Sequence, residues 1–328
     1  GTDWVRLAKG EAGQVLVVND AGTFPQWGTS DWVYRGSTRG FSIGGANHHD
    51  QPGGGGTGVW YYFSDIYSHE FATDGNAVDT TGDLVAANHG CSGFSSETHS
   101  FVAGGAQSQN VIQSFQNTNP GGNATDLADL TTNHPRITPV SSLTHGYGVS
   151  GAGANIEKFA FANTANATLV GNLSNSHTGT HGGGATDSTN DYGYAAGGFP
   201  NTNVIDRFSF VNETTTDDVG DLVLTSGQAS GCSSETHGYF IGPGNPSRVQ
   251  RYAFASSGNA TQVATLSSNG TARGNGISSQ THGYLVGGEV HFTQIDKFSF
   301  ANETTWNDVG DLGTGQTTNR SHHGSSHF

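Results

Sequence analysis

THGYLVGG, residues 281–288, is the last full copy of a stretch that the chain nearly repeats throughout. Earlier versions are STRGFSIGG (37–45), THSFVAGG (98–105), THGYGVSG (144–151), DYGYAAGG (191–198) and THGYFIGP (236–243). Aligned, they set Arg39, His99, His145, Tyr192, His237 and His282 at one position, in steps of 60, 46, 47, 45 and 45 residues. A period of this size marks a repeat architecture, in which each unit buries its faces only against its neighbours.

Three further elements recur in order inside each period. An alternating apolar run follows the Gly pair: IYSHEF (66–71), IQSF (112–115), IEKFAF (156–161), IDRFSF (205–210), VQRYAF (249–254) and IDKFSF (295–300). Alternation of this kind marks a strand whose two faces meet different surroundings. An Asn-centred turn comes next, at Asn76, Asn123, Asn166, Asn212, Asn259 and Asn302. A short strand then ends near Leu84, Leu130, Leu173, Leu222, Leu266 or Leu312, and a Ser/Thr/Gly-rich run leads to the next THG turn.

Four short strands per unit of about 45 residues fit one propeller blade, whereas no unit carries the i, i+3, i+4 pattern of a helical repeat. The expected fold is therefore all-β: a six-bladed β-propeller over 34–328, preceded by a short β-rich segment over 1–33. THGYLVGG and its copies are placed near the axis, where crowding favours Gly. Counting from Leu312 puts His327 at the histidine position, so closure should set the C-terminal strand, roughly 313–326, beside the strand beginning near Gly40.

Composition agrees with short strands and tight turns: 328 residues hold 51 Gly, 18 Phe and 10 Tyr, with 12% charged residues and no Met. A formal charge of −15 argues against a nucleic-acid partner. No apolar run is long enough to imply membrane insertion. The missing Met suggests that more chain precedes residue 1. Cys91 and Cys232 fall in different units and read as buried free thiols.

Two resemblances bear on function. The repeat, with SSETHGY, NVIDRFSF and NETTTDDVGDL, resembles kelch-like propeller repeats of structural proteins from phages that infect marine cyanobacteria and related bacteria. Tyr192, Asn117 and Pro243 depart from it. Separately, RLAKGEAGQVLVVNDAGTFPQW (6–27) is similar to a connecting module of phage tail fibres, matched at Leu7, Gly13, Gln14, Leu16, Asn19, Gly22, Pro25 and Trp27. These resemblances imply a virion location on tail or head, a homotrimer, and contact with other tail or capsid proteins.

No residue set in the sequence nominates a catalytic, cofactor or metal centre. His99, His145, His237, His282 and His327 share a repeat position and could face a metal as a ring, but turn histidines bonding the backbone of their own blade are the preferred reading. Asp74, Asp79 and Asp83 lack the ligand pattern of a calcium loop and read as turn residues. STNDYG (188–193) has the outline of a sialidase Asp-box, yet it falls on a turn that the repeat explains. The Asn-x-Ser/Thr sites at the repeat turns read as turns, because Asn tolerates left-handed angles and bonds its own chain.

Variation between units is more informative. The loop after the Gly pair needs about six residues elsewhere, but in the first unit it holds ANHHDQPGGGGTGVWYYFSD (46–65). Its His48, His49, Trp60, Tyr61 and Tyr62 are the candidate receptor-binding residues, because exposed aromatics suit stacking on sugar rings. The competing expectation is that the three aromatics only begin the next strand. The function expected is attachment of a non-enzymatic virion protein to a host-surface glycan or protein, or virion decoration, with a fibre-borne polysaccharide depolymerase as the alternative.

Overall fold

The computed structural model describes residues 14–18, 25–29, 37–49, 59–105, 110–134, 137–150, 154–174, 182–198, 201–213, 216–242, 248–266, 274–288, 293–312 and 324–326. The chain divides into two compact units, Gly1–Tyr34 and Arg35–Phe328. In the first, Gln14–Val18 and Pro25–Thr29 form an antiparallel pair that sets Leu16 opposite Trp27 and Val18 opposite Pro25. Leu7 and Gly13 lie outside the described residues.

The second unit is a six-bladed β-propeller, with every blade an antiparallel meander. Each blade runs outward from an inner strand, as in Ser230–Ser233, His237–Gly242, Arg248–Ala253 and Thr261–Thr265. Inner strands touch in a closed circle: Gly324–Ser326, Ser92–Ser95, Thr138–Ser141, Gly183–Asp187, Ser230–Ser233, Asn275–Ser278, and back to Gly324–Ser326.

That circle corrects the expected placement of THGYLVGG. The stretch forms the second strand, and the Ser/Gly-rich run before it lies innermost. Crowding selects Gly on the second strand, as expected, where a Cβ on Gly283 would strike the Phe298 ring, and on the inner strand as well: a Cβ on Gly184 would strike the Pro139 carbonyl, one on Gly231 the Gly184 backbone, and one on Gly276 the Gly231 backbone. Hydroxyls complete these seams. Ser95 donates its amide to the Ser141 hydroxyl at 3.1 Å, Thr186 to Ser233 at 2.8 Å, and Ser233 to Ser278 at 2.8 Å.

Closure follows the expected pairing. Gly324–Ser326 runs antiparallel to Arg39–Ile43 and supplies the inner strand of the first blade. The register, however, corrects the count that led to His327. Ser326 stands opposite Phe41 as Cys232 stands opposite Tyr239, five places before the histidine position, which in this blade belongs to Arg39. His327 itself lies outside the described residues.

Six apolar clusters fill the seams, each combining residues of two adjoining blades. The aromatic of THGY stacks on the last aromatic of the next blade's third strand. Phe101 meets Phe161 at 4.4 Å, Tyr147 meets Phe210 at 4.9 Å, Tyr194 meets Phe254 at 4.9 Å, Tyr239 meets Phe300 at 5.1 Å and Tyr284 meets Phe71 at 4.9 Å. Asn117 replaces that aromatic opposite Phe41. It is buried and accepts the Ser100 hydroxyl at 2.8 Å while donating to the Ser96 carbonyl at 3.2 Å.

Candidate functional site

A meander sends its connections alternately to two faces of the ring. The turns between first and second strands and between third and fourth strands share one face, here called the uniform face. The Gly-pair loops and the links between blades share the other, the varied face.

The uniform face is built from repeated turns. In Ser96–His99, the serine hydroxyl accepts the His99 amide at 3.0 Å and Thr98 Oγ1 bonds His99 Nδ1 at 2.9 Å. The same pair of bonds recurs at Ser142–His145, Ser234–His237 and Ser279–His282. These imidazoles are thus engaged locally, through the preceding threonine and not through backbone as expected. Burial lowers the pKa of His145 and His237, and neighbouring Lys158 and Arg251 lower them further. Among the described residues, no three His, Cys, Asp or Glu side chains are grouped as metal ligands. Just before STNDYG the buried Asp187 replaces the turn serine and accepts the Thr189 and Asn190 amides.

The repeat asparagines also differ from expectation. Asn123 Oδ1 accepts the Asp83 amide of the preceding blade at 3.2 Å, and the adjacent Ala124 amide donates to the Asp83 carbonyl at 2.8 Å. Asn166 grips Asp129, and Asn259 grips Asp221, in the same way. These asparagines do not adopt left-handed angles; they latch blade to blade.

Ionic locks add to this in some seams. Glu213 accepts the Tyr147 hydroxyl at 2.9 Å and the Lys158 ammonium at 2.6 Å from the blade before it. Glu303 does the same for Tyr239 and Arg251, both at 2.7 Å. Burial first, and the Glu213 bond second, raise the Tyr147 pKa, so this phenol stays protonated. Of the three turn acids, Asp74 binds Lys297 at 2.8 Å, Asp79 accepts the Thr81 amide and Asp83 accepts the Ser64 hydroxyl. Each is committed to structure.

Another ring of polar groups lies inside the seams at the second residue of IEKF and its copies. Gln113 accepts the Val85 amide, Gln250 the Leu224 amide, and Glu157 both the amide and hydroxyl of Thr131. Buried Glu157 also meets buried His134 at 2.8 Å. Nothing in the repeat pattern signals His134, which sits in an irregular link.

On the varied face one feature stands apart. Beyond the first-blade Gly pair, Ala46–His49 pairs with the start of Val59–Glu70, extending that blade as a hairpin. Both Gly44 and Gly45 have positive φ, 67° and 122°, which is why Gly is needed there. They fix the hairpin base: the Gly44 amide donates to Asp65, Gly45 donates to Asn88, and Phe63 donates back to Gly45.

The hairpin gathers every candidate receptor-binding residue. Backbone register sets His48 opposite Trp60, His49 opposite Val59, Asn47 opposite Tyr61 and Ala46 opposite Tyr62. The three aromatics do begin a strand, as the competing expectation held, yet they do not all pack inward. Tyr61 is 54% exposed, and Tyr62 stacks on His89 at 4.7 Å. His89 escaped sequence reading because it follows an outer strand distant in the repeat. Residues 50–58 lie outside the described residues.

Compared with known protein families, the chain matches no family, and no curated protein matches it. Fold and geometry define it as a six-bladed β-propeller with an aromatic hairpin on one face.

Proposed function

We propose that this propeller is a non-enzymatic phage virion component, carried on a fibre-like N-terminal segment, that attaches to a host-surface glycan. The observation that supports this reading is the first-blade hairpin, which carries exposed Tyr61 and, stacked on His89 of the neighbouring link, Tyr62, above a ring whose seams are locked on every side. Rigid scaffolds with decorated loops are suited to recognition, and aromatic rings offer sugars a flat apolar partner. The reading also draws on the phage-like character of the repeat and of residues 6–27. A trimer would multiply weak contacts by copy number, and tail or capsid proteins would hold the opposite end.

The test is binding of the purified protein to host cells and to isolated surface polysaccharide, comparing wild type with Trp60→Ala/Tyr61→Ala. Loss of binding in the variant, with an unchanged circular-dichroism spectrum and no released oligosaccharide, is expected. Equal binding by both proteins contradicts attachment through the hairpin, and released oligosaccharide replaces the adhesin with a depolymerase.

A further inference from the structure

Five blades carry Phe or Tyr at the fourth residue of the third-strand motif: Phe115, Phe159, Phe208, Tyr252 and Phe298. The first blade carries His69 there. Its ring packs over Gly40, where a Cβ would strike it, just as the Phe159 and Phe298 rings pack over Gly146 and Gly283. His69 thus occupies the place of an apolar ring. It is 4% exposed, and neither ring nitrogen has a hydrogen-bond partner.

The position matters because this is the seam where the chain's two ends meet. His69 lies 5.4 Å from Tyr284 of the last blade and 5.5 Å from Phe71, ring centre to ring centre. Elsewhere in the ring each blade is one continuous stretch of chain. The first blade alone takes its inner strand from the far end, and Gly324–Ser326 is three residues long.

We infer that the seam between the last and first blades is an acid-labile latch, with His69 as its sensor. A neutral imidazole fits the aromatic position, whereas an imidazolium would be a cation among rings without an acceptor. The charged groups around it do not supply one. Asp74, on the turn beyond its strand, favours the cation, but its carboxylate is held by Lys297 of the last blade, which opposes it. Arg39 on the neighbouring strand is paired with Glu70, and His282 of the last blade bonds Thr281. Burial outweighs these charges and lowers the His69 pKa from 6.5 to about 4.

The sign follows directly. The folded pKa is depressed for a base, so the closed seam is favoured while the ring stays neutral, and that preference is lost as pH falls from 6.5 towards 4. A cleft of about 480 Å³, lined by His69, Arg39, Ser68, Asp79 and Pro120 among others, adjoins the site on the uniform face.

Hydrogen exchange of the full chain between pH 7.5 and 4.5, corrected for the intrinsic pH dependence of exchange, tests the latch. Strands Arg39–Ile43 and His282–Val286 are compared with Tyr192–Ala196, which lies away from the seam. Protection at the two seam strands should fall at pH 4.5 by roughly two orders of magnitude more than in the reference strand, as a shift of this size implies. His69→Phe, matching the other blades, and His69→Gln, which keeps polarity without titrating, should each abolish the difference. Equal loss in all three strands, or an acid response preserved in both variants, overturns the inference.

Discussion

Asn76 and Asp311 are 235 residues apart in the chain, and the Asn76 side-chain oxygen accepts the Asp311 amide at 3.0 Å. The Ala77 amide donates back to the Asp311 carbonyl at 2.8 Å. The ends of the propeller are therefore joined by the same two-bond latch that links Asn123 to Asp83 and Asn259 to Asp221.

Replacing a latch asparagine by alanine removes one hydrogen bond and leaves its partner amide accessible to water. Asn76→Ala and Asn259→Ala should each cost about 1 kcal/mol, within the range for a single bond at a surface. Urea unfolding is the measurement, with a lower midpoint and an unchanged slope as the expected result. Because the two latches are on separate seams, the double variant should lose the sum.

Glu157 and His134 form a buried pair, and the choice of substitution separates its components. Burial alone would raise the Glu157 pKa, but bonds from His134 and Thr131 outweigh it and hold the carboxyl below its usual value. Glu157→Ala should cost about 1–3 kcal/mol, because His134 loses a buried hydrogen-bond partner. Glu157→Gln should cost less, since Gln113 and Gln250 serve at the same repeat position and accept backbone amides there. With a depressed folded pKa, the wild-type contribution is present above the unfolded value of 4.5 and is lost as pH falls through the folded one. Unfolding free energies at pH 7 and pH 3.5 should show the glutamine variant approaching wild type at the lower pH.

Asp296 holds this position in the last blade and behaves oppositely. Burial, followed by the charge of Asp308, raises its pKa to about 6. The folded protein thus binds a proton more tightly than the unfolded chain, so stability falls as pH rises from 3.8 to about 6 and stays lower above it. Asp296→Asn should stabilise the protein at pH 7.5 by roughly 1–3 kcal/mol, at about 1.4 kcal/mol per pKa unit. The gain should vanish at pH 3.5 in thermal or urea unfolding.

The repeat was legible because propeller blades return the same residues to the same surroundings at a fixed interval, and the ring closure could be counted from it. What periodicity does not carry is phase: nothing in THGYLVGG says whether it lies first or second from the axis, since close packing demands Gly on both strands. The asparagine latches were misread because their partners belong to another blade, some 40 residues away, whereas local turn chemistry offers a sufficient reason for Asn by itself. His134 and His89 were missed for a related cause. Each acts through a contact made by an irregular link, Glu157 in one case and Tyr62 in the other. The hairpin was found, by contrast, because an insertion breaks the period visibly.

Joining the chain ends by a cross-link tests the closed ring most directly. Ser42 and Ser325 are Cα partners in the closing strand pair, within disulfide reach of one another. With Ser42→Cys/Ser325→Cys, mild oxidation of the folded protein should link the peptides containing 42 and 325, as read by mass spectrometry, and should raise the unfolding midpoint. If both thiols stay free under conditions that oxidise an accessible pair, or if position 325 links elsewhere, the ring is not closed in this way.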